Sequence, residues 1–144
     1  NHLKLDMGIR IGKNNFLIII ILLLIGTSCN PTISDMENIV GMKLKDKISF
    51  QKKEEQWIPF NGDGYKIMIY KIKENELKTI IEKSKENGFD CYEADSLDNF
   101  SNSYIYPFIE HSKGYYKIIC IEDEIKTVFI DSTHSRLIYY LVIW

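Results

Sequence analysis

Tyr115–Ile121 (YYKIICI), Ile125–Ile130 (IKTVFI) and Leu137–Ile143 (LIYYLVI) are three runs dominated by β-branched, aromatic and long aliphatic side chains. Only Glu122-Asp123-Glu124 and Asp131-Ser132-Thr133-His134-Ser135, with Arg136, separate them. Side chains of this kind suit a pleated, half-buried surface, and connections this short return a strand beside its predecessor. The stretch therefore predicts an antiparallel C-terminal β-meander.

Upstream, Asn61-Gly62-Asp63-Gly64 is a turn by chemistry, because these residues tolerate positive φ. Tyr65–Ile72 follows as a strand with apolar residues on both faces, which predicts cover on both sides. Glu74 to Asn87 is the clearest helix. Leu77, Ile80, Ile81 and Ser84 form one narrow stripe, and Asn87-Gly88 is a stop signal. Phe89 to Lys113 reads as a brief strand and then a long irregular segment rich in Asp, Asn, Ser and Tyr. Residues 36–60 are harder to read: a short helix or loop to Leu44, a strand over Lys47–Phe50, and an apolar Trp57-Ile58-Pro59-Phe60 interrupted by proline. One helix with a few strands predicts an α+β fold, a small two-layer sandwich with an antiparallel sheet of about four or five strands. The 144 residues suit one such domain, placed at 47–144, with no internal repeat.

Before that domain the order is basic, apolar, small. Arg10 and Lys13 precede the ten-residue run Phe16–Ile25, and Gly26-Thr27-Ser28-Cys29 follows. Ten residues are too few to cross a bilayer, which takes about 20, but they fit the apolar region of a secretory signal. The segment from Met7, where translation is expected to start, to Cys29 resembles the lipoprotein signal peptides of bacteria, especially the loosely specified kind of Bacteroidota. That resemblance implies that residues 1–28 are removed and that Cys29 receives the lipid (palmitate among its acyl chains). Gly26 departs from the pattern, which prefers Leu at that place, and Gly26-x-Ser28 also satisfies ordinary signal-peptide cleavage. The expectation is a lipidated cysteine with a tether over 29–46, Pro31 and its polar neighbours opposing helix. Asn30 stands where the inner-membrane retention signal of enterobacteria has Asp, so the expected site is the outer rather than the inner membrane.

The 18 basic and 20 acidic residues, less Lys4, Arg10, Lys13 and Asp6, leave 15 and 19 in residues 29–144, a net of −4. Phosphate binding needs clustered Lys and Arg, so nucleic acid is excluded as a partner on charge. Asn61–Gly64 fails as a calcium loop: with Gly64 at the loop glycine, Pro59 falls at the first ligand position and Tyr70 at the twelfth. No metal site and no cofactor are expected. Asp131, Ser132, His134 and Ser135 hold the letters of a hydrolase triad, but neighbours in one turn rarely supply nucleophile, base and orienter together. Cys91 and Cys120 are expected either to form a disulfide outside the cytoplasm or to be buried thiols.

The long segment 92–110 carries the binding expectation. Tyr92, Asp95, Asp98, Phe100, Tyr104 and Tyr106 mix rigid aromatics with acids in the manner of a protein-recognition loop. The leading expectation is a membrane-tethered, non-enzymatic protein-binding module of the cell envelope, an immunity-type lipoprotein being one version. The alternatives are an accessory subunit of an envelope or surface transport assembly, and a small hydrolase using the acidic loop.

Overall fold

The computed structural model describes residues 31–93, 97 and 100–144. Pro31–Trp144 is one compact unit. Its elements in chain order are α1 (Pro31–Val40), β1 (Ile48–Trp57), β2 (Gly64–Ile72), α2 (Leu77–Glu86), β3 (Asp90–Glu93), α3 (Tyr106–Ile109), β4 (Lys113–Ile121), β5 (Glu124–Asp131) and β6 (Arg136–Ile143). The six strands form one sheet in the order β1-β2-β6-β5-β4-β3, every neighbouring pair antiparallel. The fold is α+β, with more strands than the four or five expected.

The C-terminal meander is β4-β5-β6, continuous through Ile121↔Glu124 and Asp131↔Arg136. Alternation sorts its side chains, since successive residues of a strand face opposite sides. Val128, Ile130, Leu137 and Tyr139 point to one face with Met68, Tyr70 and Ile72, where Met36, Val40, Leu44 and Ile80 cover them. Phe129, Ile138 and Tyr140 point to the other with Tyr65, Ile67 and Ile69. Tyr92 of β3 belongs to that second face as well, and Leu97, Phe100, Ile105 and Ile109 cover it. The sheet thus has cover on both sides, and the second cover is the irregular segment, a layer beyond the expected two.

The expected tether is corrected by α1. Met36, Ile39 and Val40 recur at helical spacing and are buried, so residues 31–40, expected as tether, form a helix packed on the sheet. Proline is compatible with a helix's first turn, where N–H groups lack intrahelical acceptors. After α1, Gly41 turns the chain at φ 80°, and the N–H groups of Gly41 and Met42 both donate to the Glu37 carbonyl. A side chain there would strike Asn87, whose amide donates to the carbonyls of Val40 and Lys83 and so ties α1 to α2. The Glu37 carboxylate accepts from the Leu44 N–H at 2.8 Å, a bond that lowers its pKa. Asp35 accepts from the Tyr139 hydroxyl and from Lys126, both at 3.0 Å, fixing α1 to the sheet.

Strand β1 lies at the edge, and its middle, Gln51 to Gln56, is polar throughout. Charge on an edge strand discourages pairing with a second chain. Lys47 pairs with Glu76, closing the loop before β1 onto the start of α2.

Thr127 sits in the middle of β5, fully buried, and among the described residues its hydroxyl has no hydrogen-bond partner. Burying an unpaired hydroxyl is costly, and valine has nearly the same shape. Thr127→Val is expected to stabilise the domain by about 1 kcal/mol, read as a higher urea midpoint at unchanged slope. A lower midpoint would mean that the hydroxyl is bonded.

Candidate functional site

The residues expected to form a recognition loop divide four ways. Tyr92 and Phe100 are core residues and not a binding face. Phe100 meets Phe129 edge-on at 5.3 Å between ring centres, and Tyr92 does so at 5.6 Å. The Tyr92 hydroxyl lies 3.1 Å from the Ser112 hydroxyl, which donates to the Ile109 carbonyl at 2.6 Å. Burial pushes the Tyr92 pKa up to about 12. The physical reason for the correction is the apolar second face of the sheet, which rings from this segment close off. Tyr106 is half-buried. Tyr104 is exposed and stacks on Tyr65 with centroids 4.1 Å apart and planes 14° from parallel. Asp95 and Asp98, like Cys29, lie outside the described residues.

Both expectations for the cysteines are also corrected. Cys91 and Cys120 are free and exposed. Cys91 is opposite Tyr115 and Cys120 opposite Ile125, so they are five positions apart along β4, or about 17 Å at strand spacing. A disulfide needs Cα atoms within about 7 Å.

What the fold does bring together is the Asp131 cluster. Asp131 ends β5 with a fully buried carboxylate. Its Oδ2 accepts from Arg136 Nε at 3.0 Å and Nη2 at 2.6 Å, and lies 2.8 Å from His134 Nδ1. Its Oδ1 accepts from the His134 backbone N–H at 3.0 Å. Arg136 Nη2 reaches further, to the Phe108 carbonyl at 2.9 Å, and so pins the covering segment to the β5–β6 turn. The sequence placed Asp131 and His134 together only as letters of a triad. The geometry does join them, but among the described residues the His134 ring meets Asp131 and Arg136 and no serine hydroxyl, so the triad order of nucleophile, base and orienter is not formed. The half-exposed His134 lines a cleft of about 510 Å³ with Ser49, Lys71, Lys73, Glu74 and Thr133. As built, the cluster neutralises a buried carboxylate and holds a turn. Among the described residues no group of His, Cys, Asp and Glu is arranged to hold a metal ion.

One feature escaped the sequence reading. Trp57, Ile58, Phe60, Ile121 and Trp144 are exposed large apolar residues. Register places Trp57, Gly64, Ile143, Glu124 and Ile121 in one cross-strand row, which puts them all at one end of the sheet. Phe60 has φ 82°, a backbone region disfavoured for a bulky residue, and its ring is fully exposed. The available signal was three large apolar residues, Trp57, Ile58 and Phe60, crowded before a Gly-rich turn.

No family model, curated protein or solved structure matches the chain.

Proposed function

We propose that the chain is an exported lipoprotein held to the cell envelope through acyl chains on Cys29, and that its domain is a non-enzymatic protein-binding module. The observation that carries this reading is the ten-residue apolar run Phe16–Ile25 followed at once by Gly26-Thr27-Ser28-Cys29. Stable membrane attachment takes more than one acyl chain, and a diacylated, N-acylated cysteine supplies them. The outer membrane is the favoured site. Among the described residues no helix is long and apolar enough to cross a membrane.

The mildly acidic domain suits a basic protein partner, of the kind an immunity protein neutralises, because opposite charge steers encounter. With Tyr92 and Phe100 in the core, the partner surface must come from exposed residues such as Tyr104.

The test is metabolic labelling with an alkyne-bearing palmitate in a host that processes the leader. The wild-type chain takes the label and fractionates with membranes, and Cys29→Ser does neither. An unlabelled wild-type chain overturns the anchor. Cross-linking of the labelled chain then reads the partner. Salt-sensitive recovery of one basic protein supports a binding module, whereas a constant set of membrane proteins makes the chain an accessory subunit.

A further inference from the structure

We infer that the exposed aromatic end of the sheet is a second membrane contact, which lays Trp57, Ile58, Phe60, Ile121 and Trp144 against the bilayer surface holding the Cys29 lipid. The inference rests on the lipoprotein reading and adds an orientation to it.

Three observations converge. The first is direction. Thr32, at the start of α1, accepts a hydrogen bond from Lys66 at 2.9 Å, and Lys66 is two residues inside the terminal row. At the far end of the same connection Leu44 is packed with Ile48 and Ile72, at the opposite end of the sheet. The helix therefore enters from the aromatic end. Cys29 is three residues before Thr32, and a chain segment of that length reaches at most about 11 Å. On the lipoprotein reading, the anchor therefore joins the domain through the end of α1 that lies toward the exposed apolar residues.

The second is composition. Tryptophan is enriched where bilayer meets water, since its ring is apolar and its N–H polar, and interfacial segments bury Trp, Phe and Leu in the headgroup boundary. The chain has two tryptophans, and both are in this patch. The third is Phe60 itself. Its ring is held outward from a left-handed backbone that Asn or Gly would adopt more easily, and being fully exposed it packs no core.

Charge narrows the surface. Glu54, Glu55, Asp63, Glu122, Asp123 and Glu124 surround the patch, against Lys53, Lys66 and Lys126. Excess acid repels anionic headgroups, so the matching surface is zwitterionic and the contact is driven by aromatic insertion rather than by charge.

The experiment uses the full chain, processed in a bacterial host and reconstituted into phosphatidylcholine vesicles, with or without bromine on the acyl chains near the headgroup. Mass spectrometry of the N-terminal peptide reports the acyl group, and tryptophan emission reports the patch without added label. The expected result is an acylated Cys29 peptide and a loss of emission in brominated vesicles that high salt leaves unchanged, since interfacial tryptophan sits at headgroup level. Phe60→Asn, which suits the backbone and removes the ring, is expected to weaken quenching with the fold intact. Acylated protein with unquenched tryptophans overturns the contact and leaves the anchor standing. An unacylated chain overturns both. Unquenched tryptophans shielded from iodide in a cross-linkable dimer give the patch to a second copy. Quenching that requires anionic lipid and disappears in salt also overturns the inference.

Discussion

Arg136→Leu is expected to destabilise the domain by about 3–5 kcal/mol, because it strands a buried carboxylate. Asp131 is completely inaccessible, and Arg136 supplies two of the donors on its Oδ2. Without the guanidinium the charge keeps, among the described residues, the His134 imidazole and backbone N–H, and the Phe108 carbonyl loses the Arg136 donor. A loss of this size is a large fraction of the stability of a small domain, about 5–15 kcal/mol. The decisive comparison is the double variant Asp131→Leu/Arg136→Leu. A buried ion pair exchanged for apolar residues of similar volume is often near neutral, so the double change is expected to cost less than the single one. Urea unfolding followed by circular dichroism measures both. A single-variant cost below about 1 kcal/mol would mean that the pair is solvated and that the turn is held by something else.

The second large effect is alkaline unfolding. Burial raises the pKa of Tyr92 to about 12 and raises that of Tyr139 still further, the neighbouring Asp35 charge adding to the Tyr139 shift. Tyrosine in the unfolded chain ionises near pH 10. Below that pH both states hold the proton and stability is independent of it. Above it the unfolded state loses the proton first, so stability falls as pH rises until the folded pKa is passed. Each such tyrosine contributes a slope of about 1.4 kcal/mol per pH unit, and two together remove about 5 kcal/mol between pH 10 and 12. Tyr65 and Tyr140 shift in the same direction through burial. Urea midpoints are expected to be flat to about pH 9.5 and then to fall steeply, with tyrosinate absorbance appearing together with loss of structure. Absorbance that develops fully in a folded chain would show that these hydroxyls are open to solvent.

The parts of the fold legible in sequence were those whose side chains report their surroundings. β4, β5, β6 and β2 are rich in strand formers, and α2 has its stripe of Leu77, Ile80, Ile81 and Ser84. β1 was read only at its start, because an edge strand such as QKKEEQ keeps its charges in water and then resembles a loop. α1 was hidden by Pro31 and by a hydrophobic pattern of only ten residues. Tyr92 and Phe100 were taken for binding residues because rings that recognise a partner and rings that cover a sheet have the same composition. A clue was present. β2 and the meander are apolar on both faces, α2 can cover one, and the other needed Phe100, Ile105 and Ile109. The cysteines turn on register, which sequence does not carry.

The strand order has a consequence for how the protein is made. β6 is the latest strand in chain order yet third in the sheet, between β2 and β5. Until residues 136–143 arrive, the β1–β2 hairpin and the β4–β5 hairpin have no common seam, and Tyr139 cannot bond Asp35. Closure waits on pairs as distant in sequence as Gly64 and Ile143, and such non-local pairing is intrinsically slow. A chain made N-terminus first therefore cannot close this sheet until residues 136–143 are available.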